Sequence, residues 1–227
     1  MPNNSTVLVI AAHADDEVLG CGGTIAKHVS EGDVVHTLFL SDGVSSRDEG
    51  NDAAHDERKA MAIAAGRSLG TKPPVFLDFP DNQMDAVPLL EIVKKVEAMV
   101  SETKAGTVYT HSNSDLNIDH RIACQATMTA CRPVPGSSIR NIYAFEVRSS
   151  TEWGETATSS GFRPTRFVDI SGYKAAKRKA LECYSTELRK FPHPRSFEVL
   201  ESLAIVRGST VSVEAAEAFE VVREIIV

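Results

Sequence analysis

The segment AAHADDEVLGCGG sets His13, Asp15, Asp16 and Glu17 directly behind a short apolar run. His13 and Asp16 are three residues apart, close enough across a tight turn for an imidazole and a carboxylate to reach one metal ion. Four ionisable side chains directly after a buried strand are hard to explain as core. The plain alternative is an acidic first helical turn, with carboxylates facing the positive end of the helix dipole. Gly20, Gly22 and Gly23 do not complete G-x-G-x-x-G, so the segment is a poor dinucleotide fingerprint.

A second constellation lies in THSNSDLNIDHRIACQAT, which carries His111, Asp115, Asn117, Asp119, His120 and Arg121 ahead of an apolar helical pattern. His120 alone reads equally well as a capping or surface histidine. Joined to His13 and Asp16 it makes a set of two His and one carboxylate, which leaves positions open for water and substrate. Such a set suits a catalytic metal better than a structural one. Asp119 is read as orienting a ligand instead of binding the ion.

These clusters need elements that bring them together. Short β-branched runs at residues 7–11, 34–40, 75–77, 107–110 and 142–145 alternate with helical patterns at 17–31, 56–69, 89–101 and 118–130. That alternation predicts an α/β fold, a Rossmann-like, mostly parallel sheet with helices on both faces and a helical C-terminal extension. In such sheets the chemistry sits at the carboxyl ends of strands, and both clusters follow a strand. If the first and fourth strands lie near each other in the middle, His120 meets His13 and Asp16. From Tyr173 onward the pattern reads as helical, with a short helix from Ser196 and a closing helix over 213–222. The basic stretch KAAKRK is expected to be a solvated helix face. Residues 41–56 are expected to form a long loop.

The chain has 227 residues, enough for one domain spanning 1–227 with its own core. With 24 Lys+Arg against 31 Asp+Glu and a net charge of -7, it does not read as a general nucleic-acid binder. Its four cysteines contain no C-x-x-C and are expected to be reduced thiols in a cytoplasmic protein. The apolar run from Val7 is too short for a signal peptide or a membrane span, so no membrane insertion is expected.

AHADDEVLGCGG resembles the A-H-P-D-D-E signature of the LmbE-like, or PIG-L, family of zinc-dependent N-acetylglucosaminyl deacetylases, and DLNIDHR resembles that family's second metal motif. The similarity continues through LSDG, FPD, FEVRSSTEW, PHPRS and AEAF, covering almost the whole chain. The resemblance implies His13, Asp16 and His120 as ligands of Zn2+, and Asp15 as the general base that takes the proton of the attacking water. It implies an amino-sugar substrate that loses its N-acetyl group as acetate, and an assembly of three or six copies.

Two positions depart from the family. Ala14 replaces a proline and removes no functional group. Asn117 stands where many relatives carry histidine, and an asparagine donates a hydrogen bond but cannot deliver a proton. The acid is therefore assigned to His193 in PHPRS, or to Asp15 after its first step. Arg47 and Arg58, with Asn117 and Glu146, are taken as substrate-binding residues, arginine being suited to a phosphate. Arg148 and Arg195 are further candidates. His28, His36 and His55 fit no constellation. Two other classes remain open: a non-haem iron enzyme using the same two-His, one-carboxylate site, and a non-catalytic α/β binding module.

Overall fold

The computed structural model describes residues 5–41, 43, 52–154 and 161–226. In chain order the elements are β1 (Thr6–Ala11), α1 (Asp16–Ser30), β2 (Val34–Ser41), α2 (Asp52–Leu69), β3 (Val75–Phe79), α3 (Leu89–Thr103), β4 (Thr107–His111), α4 (Ile118–Ala130), β5 (Asn141–Phe145), β6 (Arg166–Asp169), α5 (Lys174–Cys183), α6 (Phe197–Thr210) and β7 (Ala216–Glu224). The seven strands form one sheet in the order β3-β2-β1-β4-β5-β7-β6. The first five run parallel, and β7 is antiparallel to both β5 and β6.

Alternation along β1 divides the core. Val7, Val9 and Ala11 point to one face and pack with α1, α2 and α5. Leu8, Ile10 and Ala12 point to the other and pack with α3 and α4. A sheet covered on both faces needs strands apolar on both faces, which explains the unbroken run of residues 7–12. Because β1 pairs directly with β4, the chain reverses its winding direction between them. The loops leaving the carboxyl ends of these strands therefore diverge and leave a crevice, the usual ligand position in open α/β sheets.

Two expectations are corrected. Residues 213–222 do not form a closing helix: β7 occupies Ala216–Glu224 and lies between β5 and β6. β6 itself was not among the expected strands. Ala and Glu in AEAFEVVRE favour helix locally, but Ala216, Glu217, Ala218 and Phe219 are all buried, and pairing on both sides outweighs that preference. The long-loop expectation for 41–56 falls partly outside the described residues, and α2 already begins at Asp52.

The KAAKRK stretch also does more than face solvent. α1 is broken at Cys21, whose backbone (φ -145, ψ 23) leaves helical geometry. The break frees backbone groups, and distant side chains satisfy them. Glu217 accepts the N–H groups of Gly23 and Thr24 at 2.9 and 2.7 Å. Lys177 donates to the Leu19 carbonyl at 2.9 Å and to Glu217 at 2.6 Å. The break lies beside a close approach, since a Cβ on Gly20 would lie 2.3 Å from the Phe145 ring. Glycine at that position lets the first turns of α1 sit directly on β5.

Candidate metal centre

The crevice between β1 and β4 holds His13, Asp16 and His120, all buried. His13 Nδ1 lies 3.2 Å from Asp16 Oδ2 and 3.3 Å from His120 Nε2, and the third side of the triangle, His120 Nε2 to Asp16 Oδ2, is 3.3 Å. Donors about 2.0–2.1 Å from a tetrahedral zinc ion lie roughly 3.3–3.4 Å from one another, so this triangle has the dimensions of one face of such a site. Asp16 Oδ1 is buried without a hydrogen-bond partner. Two imidazole nitrogens and a carboxylate converging at this spacing fit a divalent ion.

The surroundings orient the donors. On the far side of the His13 ring, Nε2 lies 3.0 Å from Asp81 and 3.2 Å from Asp119. A proton on Nε2 leaves the Nδ1 lone pair facing the triangle. Asp119 is itself held by the backbone N–H groups of Asn82 and Met84, at 2.7 and 3.1 Å. His120 is treated likewise: Asp115 Oδ2 sits 3.1 Å from its Nδ1. Asp115 in turn accepts from the hydroxyls of Ser150 and Thr151. Burial disfavours charge on His120, but Asp16 and Asp115 outweigh it and lift its pKa to about 9. Burial likewise raises Asp16, yet the charge of His120 and the hydrogen bonds of His120 and His13 prevail and hold its carboxyl well below the usual range. The cluster thus has a strong electrostatic demand for positive charge at its centre.

His111 lies beside this set, its Nε2 3.5 Å from Asp16 Oδ2. Its Nε2 accepts the Ala12 N–H at 2.9 Å, and its ring stacks on His120 with centroids 3.9 Å apart. Burial and the neighbouring His120 push its pKa down to about 3, so it is a neutral wedge fixing the end of β1.

Asp15 occupies the turn between β1 and α1 with φ 118, a backbone conformation that L residues rarely adopt. Glu17 supports it, accepting the Asp15 N–H at 3.0 Å on one oxygen and the Tyr184 hydroxyl at 2.7 Å on the other. The Asp15 carboxylate belongs to a second charged group beside the triangle. Arg195 Nη1 donates to Asp15 Oδ2 at 2.9 Å, Arg58 Nη2 is 3.4 Å from Oδ1, and Glu187 bridges the two guanidinium groups. Burial raises the Asp15 pKa, and Arg195 and Arg58 partly counter it.

The remaining expected residues are placed as follows. Arg58 is only 4% exposed and faces Asp15 and Glu187 instead of an open pocket. Asn117 is the N-cap of α4: its Oδ1 accepts the N–H groups of Asp119 and His120, and its Nδ2 donates to Asn82. Glu146 forms a two-pronged pair with Arg207 at 2.8 Å on both prongs. Arg148 lies 3.5 Å from Glu152. Arg47 lies outside the described residues. His193 lines an open cavity of about 260 Å³ with Ser149, Trp153, Glu187, Arg189 and Arg195. Its Nδ1 accepts the Arg195 N–H at 3.0 Å, which leaves Nε2 to carry the ring proton. His28 is tied to Asp33 and Tyr109, and His55 to Asp78.

Spacing gave no signal for Tyr184, Glu187, Ser150 or Thr151. They come from loops after β5 and α5, far in sequence from the first motif.

The family model described as GlcNAc-PI de-N-acetylase (PIG-L) matches residues 8–131. An uncharacterized deacetylase of Escherichia coli K12, YaiS, is 31% identical over 134 residues, covering 57% of this chain and 69% of the relative. A 4-oxalmesaconate hydratase of Pseudomonas putida KT2440 is 29% identical over 199 residues, covering 78% of this chain and 72% of its own length. The solved N,N'-diacetylchitobiose deacetylase of Pyrococcus horikoshii superposes with a TM-score of 0.78 at 20% identity, covering 97% of this chain and 85% of the other.

Proposed function

This chain belongs to the PIG-L, or LmbE-like, family, and from that premise we propose that it is a metal-dependent N-deacetylase acting on an N-acetylated amino sugar or its conjugate. The observation that carries the reading is the triangle of His13, Asp16 and His120, with Asp15 adjacent to it and outside the ligand set. Zinc is the ion this reading names, and His13, Asp16 and His120 would hold it. When bound, it supplies a water of lowered pKa and a Lewis acid for the amide carbonyl.

The chain's own residues account for the proton traffic. Asp15 takes the proton of the attacking water, and its burial makes it a better base than a surface carboxylate. Arg195 and Arg58 keep it ionised at the start and hold it against rotation. His193, neutral with its proton on Nε2, donates a hydrogen bond to the developing oxyanion, and the proton that Asp15 took from the water passes to the leaving amine. Arg58 is reassigned here from phosphate binding to positioning Asp15. Asn117 is reassigned to holding α4, and with it His120, in place. Glu146 is reassigned to anchoring α6 through Arg207.

The test is acetate release from N-acetylglucosamine, its nucleotide-linked forms and N-acetylated glycosides, with zinc bound. Absence of acetate from every substrate would overturn the reading. The hydratase relative favours a second one, in which the same activated water adds to an unsaturated acid. Consumption of 4-oxalmesaconate without acetate release from any sugar would establish it instead.

A further inference from the structure

Residues 149–154 form a turn locked to both halves of the site. Ser150 and Thr151 donate to Asp115, the carboxylate behind His120. Ser149 Oγ accepts from Arg195 Nε at 2.7 Å, while Nη1 of the same guanidinium holds Asp15. Glu152 closes the turn by accepting the N–H groups of Ser149 and Ser150 at 2.8 and 3.1 Å. Gly154 is pressed so closely against Ser114 that a Cβ would lie 1.8 Å from its carbonyl oxygen.

From this rigid mount projects Trp153, the chain's single tryptophan, with 55% of its surface exposed. An exposed apolar residue alone signifies little. Trp153, however, forms a wall of the 260 Å³ cavity whose other walls are Ser149, Glu187, Arg189, His193 and Arg195. Arg195 leads from that cavity straight to Asp15. A flat apolar plate beside a ring of hydroxyl, guanidinium, imidazole and carboxylate groups matches one ligand chemistry well. A pyranose ring has an apolar face of C–H bonds and a rim of hydroxyls, and the cavity is near the lower end of small-molecule sites, the scale of about one sugar ring.

We infer that Trp153 is the platform on which the substrate's sugar ring stacks, holding the acetamido group toward Asp15 and the metal centre. The inference rests on the amino-sugar reading above. Trp153 is thus a binding residue that contributes equally to ground and transition states.

The test has two arms. In the kinetic arm, W153A raises KM for N-acetylglucosamine about five- to ten-fold with kcat within about two-fold, and W153F recovers most of the loss. An unchanged KM, or a fall in kcat alone, would overturn the platform. In the binding arm, the emission of the single tryptophan shifts saturably when the wild-type protein is titrated with glucosamine, which carries no acetyl group to lose. A silent titration would overturn the platform even if W153A proved unstable. A response to adenosine but not to glucosamine would overturn it in favour of a flat aromatic ligand. If the wild type releases no acetate but its tryptophan responds to glucosamine, the deacetylase reading fails and the sugar platform stands.

Discussion

On adjacent positions, Asp15, Asp16 and Glu17 meet three different environments. Imidazoles surround Asp16 and hold it ionised, so it can act as a ligand. Arginines flank Asp15, which keeps its carboxylate available as a base. Glu17 has neither: burial pushes its pKa up to about 8, and its oxygens serve as acceptors for the Tyr184 hydroxyl and the Asp15 backbone. These assignments predict separable losses. Asp15→Asn should lower kcat by about 10²- to 10⁴-fold while zinc content, measured by atomic absorption, stays at the wild-type level. Asp119→Ala should act in the opposite way. With one of the two carboxylates behind His13 gone, zinc affinity measured by competition with a chelator should fall about 10- to 100-fold. Excess zinc should restore most of the activity of Asp119→Ala and none of that of Asp15→Asn.

At the scale of elements, the site depends on how α1 and α4 are seated. α4 begins at Asn117, whose side chain caps the N–H groups of the two residues that follow Ile118, one of them His120. A histidine at 117 would have no comparably placed oxygen, so the cap depends on the asparagine. α1 is seated by Gly20 against Phe145, and its break at Cys21 is satisfied by Glu217 and Lys177 from elements nearly the length of the chain away. Gly20→Ala should therefore cost about 1–3 kcal/mol in urea unfolding, because the added methyl meets an aromatic ring that has no space to retreat. The same substitution should weaken zinc binding, since Asp16 is the first residue of the displaced helix. Full stability with full zinc affinity would show that Phe145 yields without moving α1.

For the molecule as a whole, the site joins the two halves of the chain. Residues 13–120 supply the triangle, while Tyr184, Glu187 and Arg195 close over Asp15 from the C-terminal part of the chain. An ion held by His13, Asp16 and His120 binds only the folded arrangement, so it should stabilise the whole structure. At zinc about 100 times its dissociation constant this amounts to about 2.7 kcal/mol, and EDTA should lower the thermal midpoint accordingly. An unchanged midpoint, with zinc shown to be lost, would mean that the ion binds the unfolded chain about as well as the folded one. No helix among the described residues is long and apolar enough to cross a membrane.

By itself the sequence determined the parallel half of the sheet and the clusters at its strand ends, because buried strands and polar turns leave a local pattern that short-range physics can read. His13, Asp16 and His120, which the fold brings together, were legible for that reason, whereas the role proposed for Asp15 is what the family resemblance implies. Tertiary structure alone decided that residues 216–224 pair as a strand, since the open edge of β5 rewards hydrogen bonding more than Ala and Glu reward helix. It also decided what surrounds Asp15. Arg58 and Glu146 carry charges that suit a ligand, but a charge finds its partner in space, and theirs turned out to be Asp15 with Glu187, and Arg207. A charge can be read from a residue's name, whereas its partner depends on which loops the fold brings within a few ångströms.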